Sequence, residues 1–200
     1  MRHPLPSGRG AFNFLTGTGL LVLFAQRELA LSPGLIGAVF GIGAIGGLLG
    51  AVAAPAVSRL IGVGRSVVVG AVLFPAPYAL VWLADGPLRT RAGALAAIEF
   101  LSSLGVMLFD VNLNSLAAAV TSDDLRSRIA GAHATVNYGV RPLGALAGGG
   151  LATLVGLRGT ITVSAVGGVL CVLWLLRSPI PAIRTLHTAD SAPVRPGAAA

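Results

Sequence analysis

Three charged residues, Glu99, Asp110 and Arg141, lie inside otherwise apolar stretches of this sequence. A charged side chain at the centre of a bilayer costs about 2.5–3.5 kcal/mol on insertion scales, so it marks a functional site or a charge pair. A carboxyl group in such a place can bind and release a proton, and an arginine can neutralise a carboxylate. These three residues therefore indicate proton or substrate handling within a membrane.

Polar residues near Glu99 share one face of a predicted helix. At 100° per residue, Ser103, Asp110 and Asn114 all lie within about 60° of Glu99 around the helix axis. Such a face is not expected to point at lipid. We expect it to line a water-filled cavity or to meet a partner charge.

The next apolar stretch carries a second polar face, because His133, Asn137 and Arg141 are spaced four residues apart. Asp110 and Arg141 lie at similar distances from the intervening loop, so an antiparallel hairpin can pair them. The pair either serves transport or only neutralises two charges that hold the helices together. Glu99 lies further from that loop, either facing the bundle or solvated at the outer interface. His133 is expected at the cytoplasmic interface.

The composition is that of a membrane protein with several spans. The chain is 54% hydrophobic and 10% charged, with a mean hydropathy of +0.85, whereas soluble domains carry about 25% charged residues. All 14 basic residues are arginines that separate the apolar stretches, and they do not cluster as nucleic-acid binding requires. The single cysteine, Cys171, excludes an intrachain disulfide and a thiol-built metal site, and no cofactor is expected.

Six stretches are long and apolar enough to be candidate membrane spans. They are residues 10–26, 34–57, 66–84, 92–120, 129–155 and 160–176, so we expect an all-α, polytopic bundle over residues 10–176. The connections fall at 27–33, 58–65, 85–91, 121–128 and 156–159. Residues 1–9 and 177–200 are expected to be cytoplasmic tails, the second one disordered. Pro75 and Pro77 are expected to kink the third span.

The arginines also predict an orientation in the membrane. With six spans, nine arginines lie on the side of the termini and four on the other, which places both termini in the cytoplasm of a cell-membrane protein. The nine are Arg2, Arg9, Arg59, Arg65, Arg126, Arg128, Arg177, Arg184 and Arg195, and the four are Arg27, Arg89, Arg91 and Arg158.

Glycines spaced four residues apart recur in the second and fifth predicted spans. They clear a helix face so that another backbone can approach closely, either in static packing or at an interface that slides. The pairs are Gly37/Gly41, Gly46/Gly50 and Gly144/Gly148.

The connection 121–128 carries a helix-start signal, in which Thr121 caps the helix and Asp124 follows three residues later. Its charged residues, Asp124, Arg126 and Arg128, are expected mainly to stabilise the start of the helix, although they could also hold a cytoplasmic gate closed.

Several segments resemble exporters of the major facilitator superfamily. The resemblance runs from about residue 12 to residue 176 and is closest to the drug/proton antiporter branch that includes macrolide and siderophore exporters. Residues 27–33 are similar to its seventh-to-eighth helix region. The segments similar to its tenth-to-eleventh helix region are Phe109-Asp110-Val111-Asn112-Leu113-Asn114-Ser115-Leu116, Asp124-Leu125-Arg126-Ser127-Arg128 and Pro142-Leu143-Gly144-Ala145.

The resemblance implies two inverted three-helix repeats, equivalent to the C-terminal six-helix half of a twelve-span transporter. It implies proton-coupled export of a small hydrophobic or amphipathic compound, bound between this half and a second half or a second copy. The expected partners are thus lipid, protons and the substrate, and not nucleic acid. The candidates for the substrate and proton pathway are Asp110, Glu99, Arg141, Asn114 and Asn137.

The connection 58–65 resembles a degenerate form of the family's gating motif, because neutral Val57 and Ser58 stand where the motif has an acid. The candidates for the gating loops are Arg59, Arg65, Asp124, Arg126 and Arg128. An enzyme is not expected, since no nucleophile and base can be combined. The competing interpretation is a non-transporting membrane protein, either a decayed fragment or an oligomeric scaffold.

Overall fold

The computed structural model describes the backbone of residues 18–120 and 123–176 and the side chains of residues 19–116 and 142–172. This part of the chain is helical and contains no strand. Its elements are α1 (Thr18–Arg27), α2 (Pro33–Ile61), α3 (Val63–Leu73), a 3₁₀ helix (Ala76–Leu83), α4 (Leu88–Val120) and α5 (Asp123–Leu176). The expected all-α class is confirmed. Both predicted tails, residues 1–9 and 177–200, lie outside the described residues.

Four of these helical segments are long and apolar enough to cross a membrane: Pro33–Ile61, Val63–Leu83, Leu88–Leu116 and Pro142–Val172. The first three match the second, third and fourth predicted spans. The last includes the end of the fifth predicted span and most of the sixth. Residues 10–17 of the first predicted span precede α1 and are not described, so the count of six spans stays a prediction.

Glycines with positive φ mark three of the expected connections, namely Gly62, Gly86 and Gly156. Gly156 has φ 76° and ψ 170° and interrupts α5 at the start of the predicted connection 156–159. The predicted eight-residue connection 58–65 is wrong in length, because α2 runs to Ile61 and α3 begins at Val63. Gly62 alone is non-helical, with φ 89° and ψ 152°, a conformation in which a side chain would be strained.

The third span breaks where its prolines predict. The Phe74 N–H still donates to Gly70 in the α-helical pattern, whereas the Tyr78 N–H donates to Pro75, three residues back, at 3.1 Å. Pro75 and Pro77 have no N–H to continue the α-helical pattern, and the chain continues as a 3₁₀ helix. The Ser102 hydroxyl of α4 donates to the Phe74 carbonyl at 2.8 Å, which ties the break to α4.

Helix α4 lies between α2 and the broken third span, and glycines bring the backbones together on both sides. A Cβ at Gly46 or Gly50 of α2 would overlap the carbonyl of Phe100 or Leu104 on α4. On the other side, a Cβ at Gly70 would lie 2.6 Å from the Phe109 nitrogen. The close approach predicted for this glycine pattern is therefore present at Gly46/Gly50.

The other predicted glycine pairs behave differently. A Cβ at Gly37 or Gly41 would meet nothing within 4 Å among the described residues, so this half of the α2 face is open. Gly144 and Gly148 are both buried in α5. The glycine spacing alone thus does not distinguish a packed position from an open one.

The apolar side chains divide into a core and a broad exposed surface. The core joins α1, α2, the 3₁₀ helix, α4 and α5 through fully buried residues such as Phe24, Leu29, Val81 and Ile161. Many large apolar side chains point outwards, including Leu48, Val52, Leu146 and Leu154, which are 65–82% exposed. A continuous apolar exterior of this kind is typical of helices that face lipid or another membrane protein.

The glycine contacts predict unequal effects of the same substitution on α2. Gly46→Ala must push α2 away from the Phe100 carbonyl, and overpacking of this kind costs about 1–3 kcal/mol of unfolding free energy. Gly41→Ala is the matched control, because it enters open space and gains helix propensity of up to about 1 kcal/mol. Unfolding in detergent micelles measures both variants. Equal stability of the two would contradict the packing of α4 against α2.

Candidate functional site

The site is built around the carboxyl group of Glu99 on α4. Glu99 is 6% exposed, and its Oε1 accepts a hydrogen bond of 2.8 Å from the hydroxyl of Tyr78, which is 4% exposed. The alternative in which solvent surrounds Glu99 at an outer interface is therefore wrong for the bundle as described. The carboxyl group lies inside the bundle and is bonded across to the 3₁₀ helix.

The other side of the carboxyl group faces α2 at a glycine. A Cβ at Gly43 would lie 3.3 Å from the Glu99 Cβ, 3.5 Å from Glu99 Oε2 and 3.3 Å from the Ser103 hydroxyl. Gly43 thus leaves room for the carboxyl group and for a hydroxyl beside it. Oε2 has no hydrogen-bond donor among the described side chains, so it is the oxygen that can receive a proton or a ligand.

Among the described side chains, Glu99 is the charged group at this point of the bundle. Within residues 19–116 and 142–172, no basic side chain forms an ion pair with it. A buried charge without a partner is costly, and a carboxyl group avoids that cost by binding a proton. The arrangement can therefore hold a proton on Oε2 while Tyr78 remains bonded to Oε1.

The predicted polar face of α4 becomes more exposed toward the helix C-terminus. Glu99 is buried, Ser103 and Asp110 are half-buried, and Asn114 is exposed. The side chains of Asn137 and Arg141, as well as that of His133, lie outside the described ones. The Asp110–Arg141 pair therefore stays a prediction.

Two of the five gating-loop candidates can be located. Arg59 and Arg65 are both exposed and lie on either side of Gly62, and the Arg59 Nε donates to the Pro55 carbonyl at 3.1 Å. The other three, Asp124, Arg126 and Arg128, belong to the first two turns of α5, and their side chains are not described. Whether the two groups meet stays a prediction.

A second polar cluster, which the sequence did not single out, closes the opposite end of the bundle around Arg158. Its Nε donates to Glu28 at 2.9 Å, and its two terminal nitrogens donate to Asp85 at 3.0 and 2.8 Å. The guanidinium also lies 5.8 Å from the ring of Phe24 and 5.9 Å from that of Trp82. The ends of α1, the 3₁₀ helix and the kink of α5 are thereby joined.

Two side chains extend this cluster to neighbouring elements. The Trp82 indole N–H donates to Thr162 at 2.8 Å, one turn beyond Arg158 on α5. Arg91 at the start of α4 donates to the Gly86 carbonyl at 2.7 Å and to the Leu29 carbonyl at 3.5 Å. The hydrogen bond from Arg158 lowers the pKa of the Asp85 carboxyl below its usual value.

A helical bundle with an apolar exterior and a buried acid inside it defines a class of integral membrane protein. The family model of the Major Facilitator Superfamily matches residues 10–198 of this chain. The chain therefore belongs to the Major Facilitator Superfamily, a family of membrane transporters and not of enzymes. No match was found among curated proteins or among solved structures.

The Asp85–Arg158 pair predicts an acid-dependent loss of stability. The folded-state pKa of Asp85 is below its unfolded value of about 3.9, so the stabilising effect is complete above that pH and lost as pH falls through the folded pKa. Asp85→Asn should lower the melting temperature at pH 6 and flatten its decrease toward pH 3. Thermal unfolding in detergent at a series of pH values measures both.

Arg89→Gln is the control for this prediction, because Arg89 is an exposed arginine of the same region that forms no ion pair among the described side chains. It should leave the pH profile of the wild type unchanged. An acid profile that is identical in wild type and Asp85→Asn would show that the pair does not hold this end of the bundle.

Proposed function

We propose that this chain carries out proton-coupled export of a small hydrophobic or amphipathic compound across the cell membrane. Membership of a transporter superfamily supports transport in general. The observation that carries the proton coupling is the carboxyl group of Glu99, buried in an apolar helix and hydrogen-bonded only to Tyr78 among the described residues. An ionisable group in such a position has a functional role by default.

In this proposal the six spans form two inverted three-helix repeats, the C-terminal half of the family's twelve-span fold. The substrate binds between this bundle and a second six-helix half, or a second copy of the chain. The open face of α2 at Gly37 and Gly41 and its exposed Leu48 and Val52 support a partner on that side. Both termini lie in the cytoplasm.

Glu99 or Asp110 carries the proton in the transport cycle. One of them takes up a proton while the cavity is open to the outside and releases it after the cavity has opened to the cytoplasm. Arg141 neutralises the carboxylate of Asp110 in the state in which that acid is ionised. Asn114 and Asn137 offer polar contacts to the substrate along the same faces.

The gating part of the proposal concerns the connection at Gly62. Arg59 and Arg65 on its two sides meet the charges at the start of α5, which are Asp124, Arg126 and Arg128. The single non-helical residue supports this role, since two rigid helices joined at one glycine transmit movement directly.

Efflux of a fluorescent lipophilic cation from cells that express the chain tests the proposal, with a protonophore as the reference for abolished coupling. Glu99→Gln and Asp110→Asn remove one carboxyl group each, and the variant of the coupling residue should reduce efflux to the protonophore level. Asp85→Asn is the matched control, because it makes the same change at an exposed position outside the spans. Its lower stability is corrected for by measuring the amount of folded protein in the membrane, and its efflux per folded protein should persist.

Co-expression with the N-terminal half of a related transporter is the second arm of this experiment. Efflux by the chain alone supports a second copy as the partner, and efflux only on co-expression supports a second half. Efflux that survives both Glu99→Gln and Asp110→Asn would refute proton coupling through these acids. Membrane insertion without efflux in either arm would support the scaffold interpretation.

A further inference from the structure

Tyr78 stands at an unusual position in the backbone. It lies in a 3₁₀ helix of eight residues, Ala76–Leu83, whereas 3₁₀ runs longer than three or four residues are uncommon and often mark a hinge within a longer helix. The side chain that contacts the buried carboxyl group of Glu99 therefore lies on the 3₁₀ segment of the third span, and hydrogen-bond geometry in a 3₁₀ helix is poorer than in an α-helix.

The 3₁₀ helix is tied to its neighbours at separate points. The break at its start accepts a hydrogen bond from Ser102, whose hydroxyl also lies within hydrogen-bonding reach of the Tyr78 hydroxyl. Its last turn is held to α5 by the bond from Trp82 to Thr162. Between these two ends, the Tyr78 hydroxyl donates a hydrogen bond to the Glu99 carboxyl group. Rewinding of this segment toward an α-helix would rotate Tyr78 and break that bond, because the two helices differ in residues per turn.

The surroundings of Glu99 contain few groups that could replace Tyr78. Helix α2 contributes Gly43, which has no side chain, and on α4 both Glu99 Oε2 and the Ser103 hydroxyl border the space at Gly43. Tyr78 is the titratable side chain that the 3₁₀ helix directs at the carboxyl group of Glu99. Among the described residues, no charged side chain forms an ion pair with that carboxyl group. Among the described side chains, the hydrogen bonding of Oε1 therefore depends on Tyr78.

We infer that Tyr78 is a positioning residue for Glu99, and that the hydrogen bond between them links the proton-binding state of the carboxyl group to the conformation of the 3₁₀ helix. This inference rests on the proposed function insofar as it gives that link a role in transport. The proton binds on Oε2, which borders the space left by Gly43, while Oε1 keeps its bond to the phenol. No covalent bond forms or breaks apart from the O–H bond of the acid.

Infrared difference spectroscopy of the full chain in lipid nanodiscs tests the inference without any substrate or partner. A pH jump reveals the C=O stretch of protonated carboxyl groups, and the band that disappears in Glu99→Gln belongs to this residue. Tyr78→Phe should keep the band and move it to higher frequency, because the carbonyl loses a hydrogen bond. Trp82→Phe, which removes a bond from the same 3₁₀ helix but not to Glu99, should leave the band in place.

A second variant protects the test against misfolding of Tyr78→Phe. The chain has two tyrosines, so Tyr138→Phe leaves Tyr78 as the single tyrosine, and 3-fluorotyrosine can then be incorporated there. The more acidic phenol is a stronger donor, so the Glu99 band should move to lower frequency. An unshifted band in both the fluorinated protein and Tyr78→Phe would overturn the inference, as would the absence of any band that Glu99→Gln removes. Shifts in opposite directions support it even if the efflux assay fails.

Discussion

The hydrogen bond between Tyr78 and Glu99 is the interaction on which the interior of this bundle depends. A carboxyl group in a membrane interior must find hydrogen-bond partners within the protein, because lipid offers none. Three features supply the surroundings of this one. Two prolines turn the third span into a 3₁₀ helix that carries Tyr78, a serine ties that break to α4, and Gly43 gives the second oxygen room.

The same constraint explains why α4 occupies the middle of the described bundle. Its backbone is in contact with α2 at Gly46 and Gly50 and with α3 at Gly70. Close backbone approach of this kind replaces the hydrophobic driving force that helices lack in lipid. At the far end, Arg158 joins three connections through Glu28 and Asp85, so that end is held by charge and the interior by packing. A hinged span requires a rigid end next to a segment that can change its winding, and a 3₁₀ segment has poorer hydrogen-bond geometry than an α-helix.

Much of the fold could be predicted from the sequence, because hydropathy, length and proline position act locally. The second to fourth spans, the break at Pro75 and Pro77 and the placement of Glu99 in an apolar helix all follow from such rules. The length of the connection at Gly62 did not, because one glycine with positive φ replaces a loop that composition alone suggests.

The contacts within the site depend on helix rotation, which the sequence leaves open. Tyr78 lies 21 residues from Glu99, and its direction depends on how many residues adopt the 3₁₀ geometry. Gly41 and Gly46 look alike in sequence, yet only Gly46 meets a neighbouring backbone in the described structure. The Arg158 cluster had a usable signal, since Glu28, Asp85 and Arg158 all fall in or beside connections on one predicted side and carry opposite charges.

A double-mutant cycle on the unfolding free energy in detergent tests the central interaction most directly, with Tyr78→Phe, Glu99→Leu and the double variant. Glu99→Leu removes the acceptor at similar size, and Tyr78→Phe with Asp85→Asn serves as the distant control pair. The structure predicts a coupling energy of about 1 kcal/mol or more between Tyr78 and Glu99, and additivity within about 0.5 kcal/mol for the control. Additive effects at Tyr78 and Glu99 would contradict the bond on which this account depends.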